Sequence, residues 1–202
     1  MYTDKQRETI LNKYISEMNI IKQRTNQIRI IGSRIEYLQP IVEYKALQLR
    51  KIIEQIMLAS LVANSTAYKD FYGRLGGDWN AKLIASDLER VNPDFFPKAV
   101  KNDYENHTLI DEPDSMKCEE AIKMYEILSK KLLHASNPFG CPTDYNEMNQ
   151  HIDEWTSRII KLLQTHIVKL IGMDDFLFVI MNSSNHSGNV AINWFERYTQ
   201  DS

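Results

Sequence analysis

Glycine and proline are scarce in this chain, seven and six among 202 residues. That scarcity favours long helices over many tight turns. Cysteine is scarcer still. Cys118 and Cys141 lie far apart in no CxxC or Cys/His cluster, so zinc and thioredoxin-like chemistry are not expected, and two free thiols suit a reducing compartment. No run approaches the roughly 18 apolar residues of a membrane span. The start, Met1-Tyr2-Thr3-Asp4-Lys5, opens a charged amphipathic stretch without a signal core, so a cytoplasmic protein that avoids membranes is expected. Excess positive charge is also missing. The net charge of −3 produces no global basic field of the nucleic-acid-binding kind.

Familiar catalytic signatures are absent as well. There is no GxSxG, no Walker A, no GxGxxG after a strand and no HExxH. The glycines between Gly73 and Gly77 lack the Lys-Ser/Thr of a phosphate loop, and His107, His151 and His186 have no partners at ligand spacing. No cofactor and no metal are expected. The scattered Tyr72, Trp79, Trp155 and Trp194 form no platform interleaved with Arg or Lys and read as core.

What is present is helical periodicity. Over residues 3–31, Leu11, Tyr14, Met18, Ile21, Thr25 and Ile28 recur at three- and four-residue steps, the spacing of a helix seam. Pro40 suits a helix start, and residues 41–66 are apolar over much of the circumference, the mark of a central helix. A short helix is predicted over 80–91 and an irregular excursion over 94–114, with a short hairpin near residues 104–107. Helices are predicted over 115–134 and 144–171. The first carries Ala121, Met124, Tyr125, Leu128 and Leu132 on one side. The second opens with an Asp144–Glu147 capping box and carries the stripe Met148, Ile152, Trp155, Ile159, Leu162, His166, Leu170. His166 on that stripe reads as a hydrogen-bonded core residue. The alternation of Val190, Ile192 and Trp194 after the apolar run 176–181 predicts a β-hairpin. The expected fold is therefore mainly α. A long N-terminal helix (residues 1–40) lies on or extends from a helical bundle (41–172), and a small C-terminal β-hairpin (173–202) is appended.

Charge is unevenly spread. Lys22, Arg24, Arg29 and Arg34 fall in a stretch without acids, whereas residues 101–126 are rich in Asp and Glu. Such halves are either solvated faces or complementary patches for self-association or RNA. Gln48, Lys51 and Gln55 form a polar stripe, and Arg50 and Glu54 fall nearly opposite it on an otherwise apolar face. There they are costly unless paired. They form either an ion pair covered by neighbouring helices or part of a polar cavity or subunit interface that also receives His134. His134 follows Lys130 and Lys131 at a helix C-terminus and precedes Ser136, Asn137 and Pro138. The helix dipole there favours a protonated imidazole, which serves as a general acid/base or as a cap.

The second helix, Leu49-Arg50-Lys51-Ile52-Ile53-Glu54-Gln55-Ile56, and the later Leu132-Leu133-His134-Ala135-Ser136-Asn137-Pro138-Phe139 together resemble the HEPN superfamily. These are small helical bundles of bacterial toxin–antitoxin, phage-defence and RNA-processing systems. Active members are metal-independent endoribonucleases that work as dimers through an Arg-x4–6-His motif. The resemblance implies His134 as the catalytic histidine, with Arg50 and Lys130 supplying charge and Glu54, Lys131 and Asn137 in binding roles. It also implies a homodimer and an RNA substrate. The motif arginine would fall at Ile127, Leu128 or Ser129, none of which is basic, and lysine does not replace a bidentate phosphate clamp. A non-catalytic relative that binds a partner protein is the alternative.

Overall fold

The computed structural model describes residues 2–33, 36–65, 80–103, 105–106, 108–133, 140–171 and 175–196. Helix α1 (Asp4–Ile30) begins at a reciprocal capping box. Thr3 accepts from the Gln6 amide while Gln6 Oε1 accepts from the Thr3 amide at 2.9 Å. Helix α2 (Leu38–Ala63) follows, so Pro40 lies inside its first turn rather than at its first residue. It packs against α1 and against three later helices, α3 (Ala81–Val91), α4 (Cys118–Leu132) and α5 (Tyr145–Gln164). Most of the apolar surface of α2 is thus covered, with Leu47 left exposed. At the start of α5, the Asp144 carboxylate accepts from the Asn146 and Glu147 amides at 2.9 and 3.1 Å, as the capping signature requires.

The fold class differs from the expected helical bundle. Five strands, β1 (Lys98–Asp103), β2 (Thr108–Asp111), β3 (Thr165–Lys169), β4 (Phe176–Ser183) and β5 (Asn189–Phe195), form one antiparallel sheet in the order β2-β1-β3-β4-β5. The molecule is mixed α/β. Two misreadings account for the difference. The hairpin near residues 104–107 exists, but its first arm pairs with β3 at Lys98↔Ile167 and Ala99↔His166. The expected helix 144–171 stops at Gln164. His166 and Leu170 are four residues apart, which fits a helix stripe but equally fits every second residue of a strand. Thr165, Ile167 and Val168 are β-branched and favour the extended state. The burial of His166 and Val168 between the more exposed Thr165, Ile167 and Lys169 confirms the two-residue period.

One apolar core runs from Tyr2 to Val190. Helices α1 and α5 cover the inner face of the sheet, where Val168, Leu177, Val179 and Met181 are buried. Helix α1 runs antiparallel to β5. Tyr2 meets Trp194 edge-on at 5.0 Å, Arg7 lies over the Trp194 ring at 5.2 Å and pairs with Glu196, and Lys22 Nζ donates to the Gly188 and Met181 carbonyls. The predicted seam is spent on this packing, since Tyr14, Met18, Ile21 and Ile28 are all buried inside the chain.

A buried polar pair joins the two layers. Tyr14 Oη lies 2.9 Å from His166 Nε2, and His166 Nδ1 lies 2.9 Å from the Leu163 carbonyl. His166 is fully enclosed, so it is a satisfied core residue. Burial lowers its pKa to about 4 and raises that of the Tyr14 hydroxyl. In the unfolded chain His166 takes its proton near the ordinary value of 6.5, but in the folded chain only near 4. Between those pH values the unfolded chain holds one more proton, so stability falls as pH falls through that window. The loss is about 3 kcal/mol by pH 4. Thermal melts from pH 7 to 4 should show this decline, and His166→Gln should flatten it. Equal slopes in both proteins would remove His166 as the cause.

Candidate functional site

Arg50 and Glu54, one turn apart on α2, reach the same group on α4. Arg50 Nη2 donates to Tyr125 Oη at 2.8 Å, and Tyr125 Oη donates to Glu54 Oε1 at 3.1 Å. Arg50 Nε lies 3.3 Å from Glu54 Oε1 without an aligned hydrogen bond. The Arg50 guanidinium sits over the Tyr125 ring at 4.7 Å from its centroid. The three side chains form a closed cluster. Its positive charge is answered by Glu54 and its π-facing surface by Tyr125. Partial burial raises the Tyr125 pKa despite the nearby Arg50 cation, so the phenol stays protonated and can donate. The cluster is therefore the covered ion pair weighed from the sequence, with a tyrosine as third member. From the sequence Tyr125 reads simply as an apolar stripe residue, and i,i+4 spacing on α2 gives no sign of what α4 presents.

The same helix has the other predicted cations. Lys130 lies five residues beyond Tyr125, about 140° further round α4. It is exposed and acts on Glu126, while Glu126 also pairs with Lys82 at 2.6 Å. Lys131 lines a groove between α4 and α5 on another face of the helix. The structure thus joins Arg50 with Glu54 and separates both from Lys130 and Lys131. His134 and Asn137 lie outside the described residues.

The α4–α5 groove has a volume of about 450 Å³. Lys123, Ile127 and Lys131 follow one another at four-residue steps along its α4 wall, and Glu147, His151, Glu154, Trp155 and Arg158 line the α5 wall. His151 and Trp155 stack nearly parallel, with centroids 5.6 Å apart and planes at 15°. Trp155 is only half-buried, and Thr156 takes the buried place on α5. Trp155 nevertheless packs against the core, at its edge. The groove acids are partly occupied. Glu120 holds Arg158 at 2.8 Å and accepts from the Lys117 amide, which keeps its carboxyl below the usual range, and Glu147 lies 3.6 Å from His151. Among the described residues, the Lys123 and Lys131 ammonium groups have no ion-pair partner. Spacing on α5 alone placed His151 and Trp155 one turn apart. That they face two lysines of α4 follows only from helix packing.

Of the two free cysteines, Cys141 is exposed and Cys118 is partly buried. Burial, with Glu89 and Glu119 nearby, raises the Cys118 thiol to about 12, which makes it a poor nucleophile. Among the described residues no cluster of His, Cys, Asp and Glu could hold a metal ion, and no helix is long and apolar enough to cross a membrane. Comparison with known proteins found no matching family, no matching curated protein and no matching solved structure.

Tyr125→Phe should remove both hydrogen bonds of the cluster while keeping the ring under Arg50. A loss of about 1–2 kcal/mol in urea unfolding is expected. A loss under about 0.3 kcal/mol would mean that the cluster adds nothing to the α2–α4 packing.

Proposed function

We propose that this protein binds single-stranded RNA in the α4–α5 groove, as a HEPN-related module of a bacterial defence or stress system. The observation that carries the reading is the His151–Trp155 stack facing Lys123 and Lys131. An aromatic face accepts an unpaired base of any identity, worth about 1–3 kcal/mol per base, while lysines answer the backbone phosphates. Lys131 keeps the binding role that the resemblance implies.

Arg50 does not fit a phosphate clamp. Its guanidinium is taken up by Glu54 and Tyr125, and freeing it would leave Glu54 half-buried without its cation. This favours binding over cleavage through Arg50. Cleavage through His134 stays part of the proposal as a metal-independent reaction. A 2′-hydroxyl, giving up its proton to a base, attacks the adjacent phosphate, the bond from phosphorus to the 5′-oxygen breaks and that oxygen takes up a proton, leaving a 2′,3′-cyclic phosphate. His134 handles one of the two proton transfers. The second reading, a homodimer or a docking module for a partner protein, is favoured by the apolar outer face of the sheet. The expected self-association seam on α1 is already consumed inside the chain.

Fluorescence anisotropy with labelled single-stranded and duplex RNA tests the groove. Lys131→Glu should weaken single-strand binding about tenfold or more and reduce the salt slope. Trp155→Ala should weaken it roughly 5- to 100-fold. Unchanged affinity in both variants, or no binding by wild type, would remove the groove assignment. Incubation in EDTA with wild type and His134→Ala decides cleavage separately. Equal cutting by both would exclude His134.

A further inference from the structure

Along β4 the buried Leu177, Val179 and Met181 alternate with the less buried Phe176, Phe178 and Ile180, which lie on the opposite face of the sheet. Register sets Phe195 of β5 beside Phe176. The Phe176 and Phe195 rings stack at 5.2 Å and 10°, and Phe178 stands at 90° to Phe195. Phe195 is 46% exposed. With Asp103 and Leu109 of the β1–β2 hairpin, the three rings line a slot of about 430 Å³. Its charge is one-sided, since the lining holds the Asp103 carboxylate and no cation. Asp103 Oδ1 accepts from the Glu105 and Asn106 amides at 3.1 and 3.2 Å, and Oδ2 accepts from Asn106 Nδ2 at 2.7 Å. The Asn106 donors hold its carboxyl below the usual carboxylate range, and being neutral they leave its charge uncancelled. The lysines of β1 are engaged elsewhere, Lys98 with Asp111 and Lys101 with Glu112. Among the described residues Asp103 has no ion-pair partner, and the exposed Glu105 beside it adds to the negative field.

We propose that this slot binds a free quaternary ammonium ion of the choline type, with its methyl groups against the phenylalanine rings and Asp103 supplying the opposite charge. Each part of the site narrows the ligand class. The unpaired carboxylate repels phosphates and other anions and draws in a cation. Rings set at right angles to one another turn aromatic faces in two directions along one slot, and such faces attract a cation placed within about 6 Å of the ring centre. A primary ammonium keeps three N–H donors and a firm hydration shell, which a wall of phenyl rings and Leu109 does not replace. A trimethylammonium group has no donor to satisfy and gains by burying its methyl groups. The site is separate from the α4–α5 groove, and its assignment is independent of RNA binding.

Titration of the full chain with choline and with 3,3-dimethylbutan-1-ol, its neutral carbon isostere, tests the proposal by amide chemical shifts at constant ionic strength. Choline should move the amides of Asp103, Phe178 and Phe195 and bind about 3- to 30-fold more tightly than the alcohol. That comparison needs no variant. Asp103→Asn keeps an oxygen for the turn amides and removes the charge, so choline should fall to within about twofold of the alcohol. Phe195→Leu keeps an apolar wall without a ring face and should weaken choline about threefold or more while leaving the alcohol nearly unchanged. Phosphocholine should bind more weakly than choline, because its phosphate meets the field of Asp103 and Glu105. Equal or tighter binding of phosphocholine would overturn the free cation in favour of a lipid headgroup. No response to choline by about 20 mM overturns the proposal. So do equal affinities for choline and the alcohol, shifts confined to residues away from the slot, and a choline preference that survives both substitutions.

Discussion

The enclosure of α2 is the constraint on which the rest of this structure depends. A helix that is apolar on nearly all sides must be surrounded, and here α1, α3, α4 and α5 do so. Most of the polar groups on α2 then find a partner within reach, although the buried Ser60 hydroxyl has none among the described residues. Lys45 donates to Asn149 and to both oxygens of Asp153, Gln48 accepts from Arg24, Gln55 donates to Glu17, and Arg50 and Glu54 share Tyr125. These contacts set how each outer helix sits on the centre. Apolar packing alone leaves rotation and sliding loosely determined. A lysine that must meet Asp153 does not.

The end of α2 applies the same rule to the sheet. Asn64 Oδ1 accepts from the Ile171 amide at 2.9 Å and from Asn92 Nδ2 at 3.3 Å, and Asn92 Nδ2 also donates to the Lys169 carbonyl at 3.0 Å. Two buried amides thereby tie the ends of α2 and α3 to the exit of β3. At the opposite side of the layer, Tyr14 and His166 join α1 to the same strand. The sheet is held to the helices at fixed points.

This arrangement separates structural charge from available charge. Arg50 is the residue whose position on an apolar helix face first suggests chemistry, and enclosure is the reason it is committed to Glu54 and Tyr125. Lys123 and Lys131 look ordinary in sequence, yet they project into a groove beside an aromatic stack. Cations at a covered junction serve packing. Those at the open groove, Lys123 and Lys131, have no ion-pair partner among the described residues.

The sequence by itself determined what depends on neighbours along the chain. The Thr3 and Asp144 caps, the runs of α1 to α4 and the start of α5, the hairpin of β4 and β5 and the central standing of α2 all follow from local hydrogen bonding and apolar periodicity. Only the tertiary structure decided the remainder. His166 and Leu170 satisfy a helical and an extended period equally, and pairing with β1 and β4 settled which one holds. Tyr125 and Trp155 both read as core from one helix alone. Their surroundings come from a second helix, and contacts between segments distant in sequence leave no periodic trace in either.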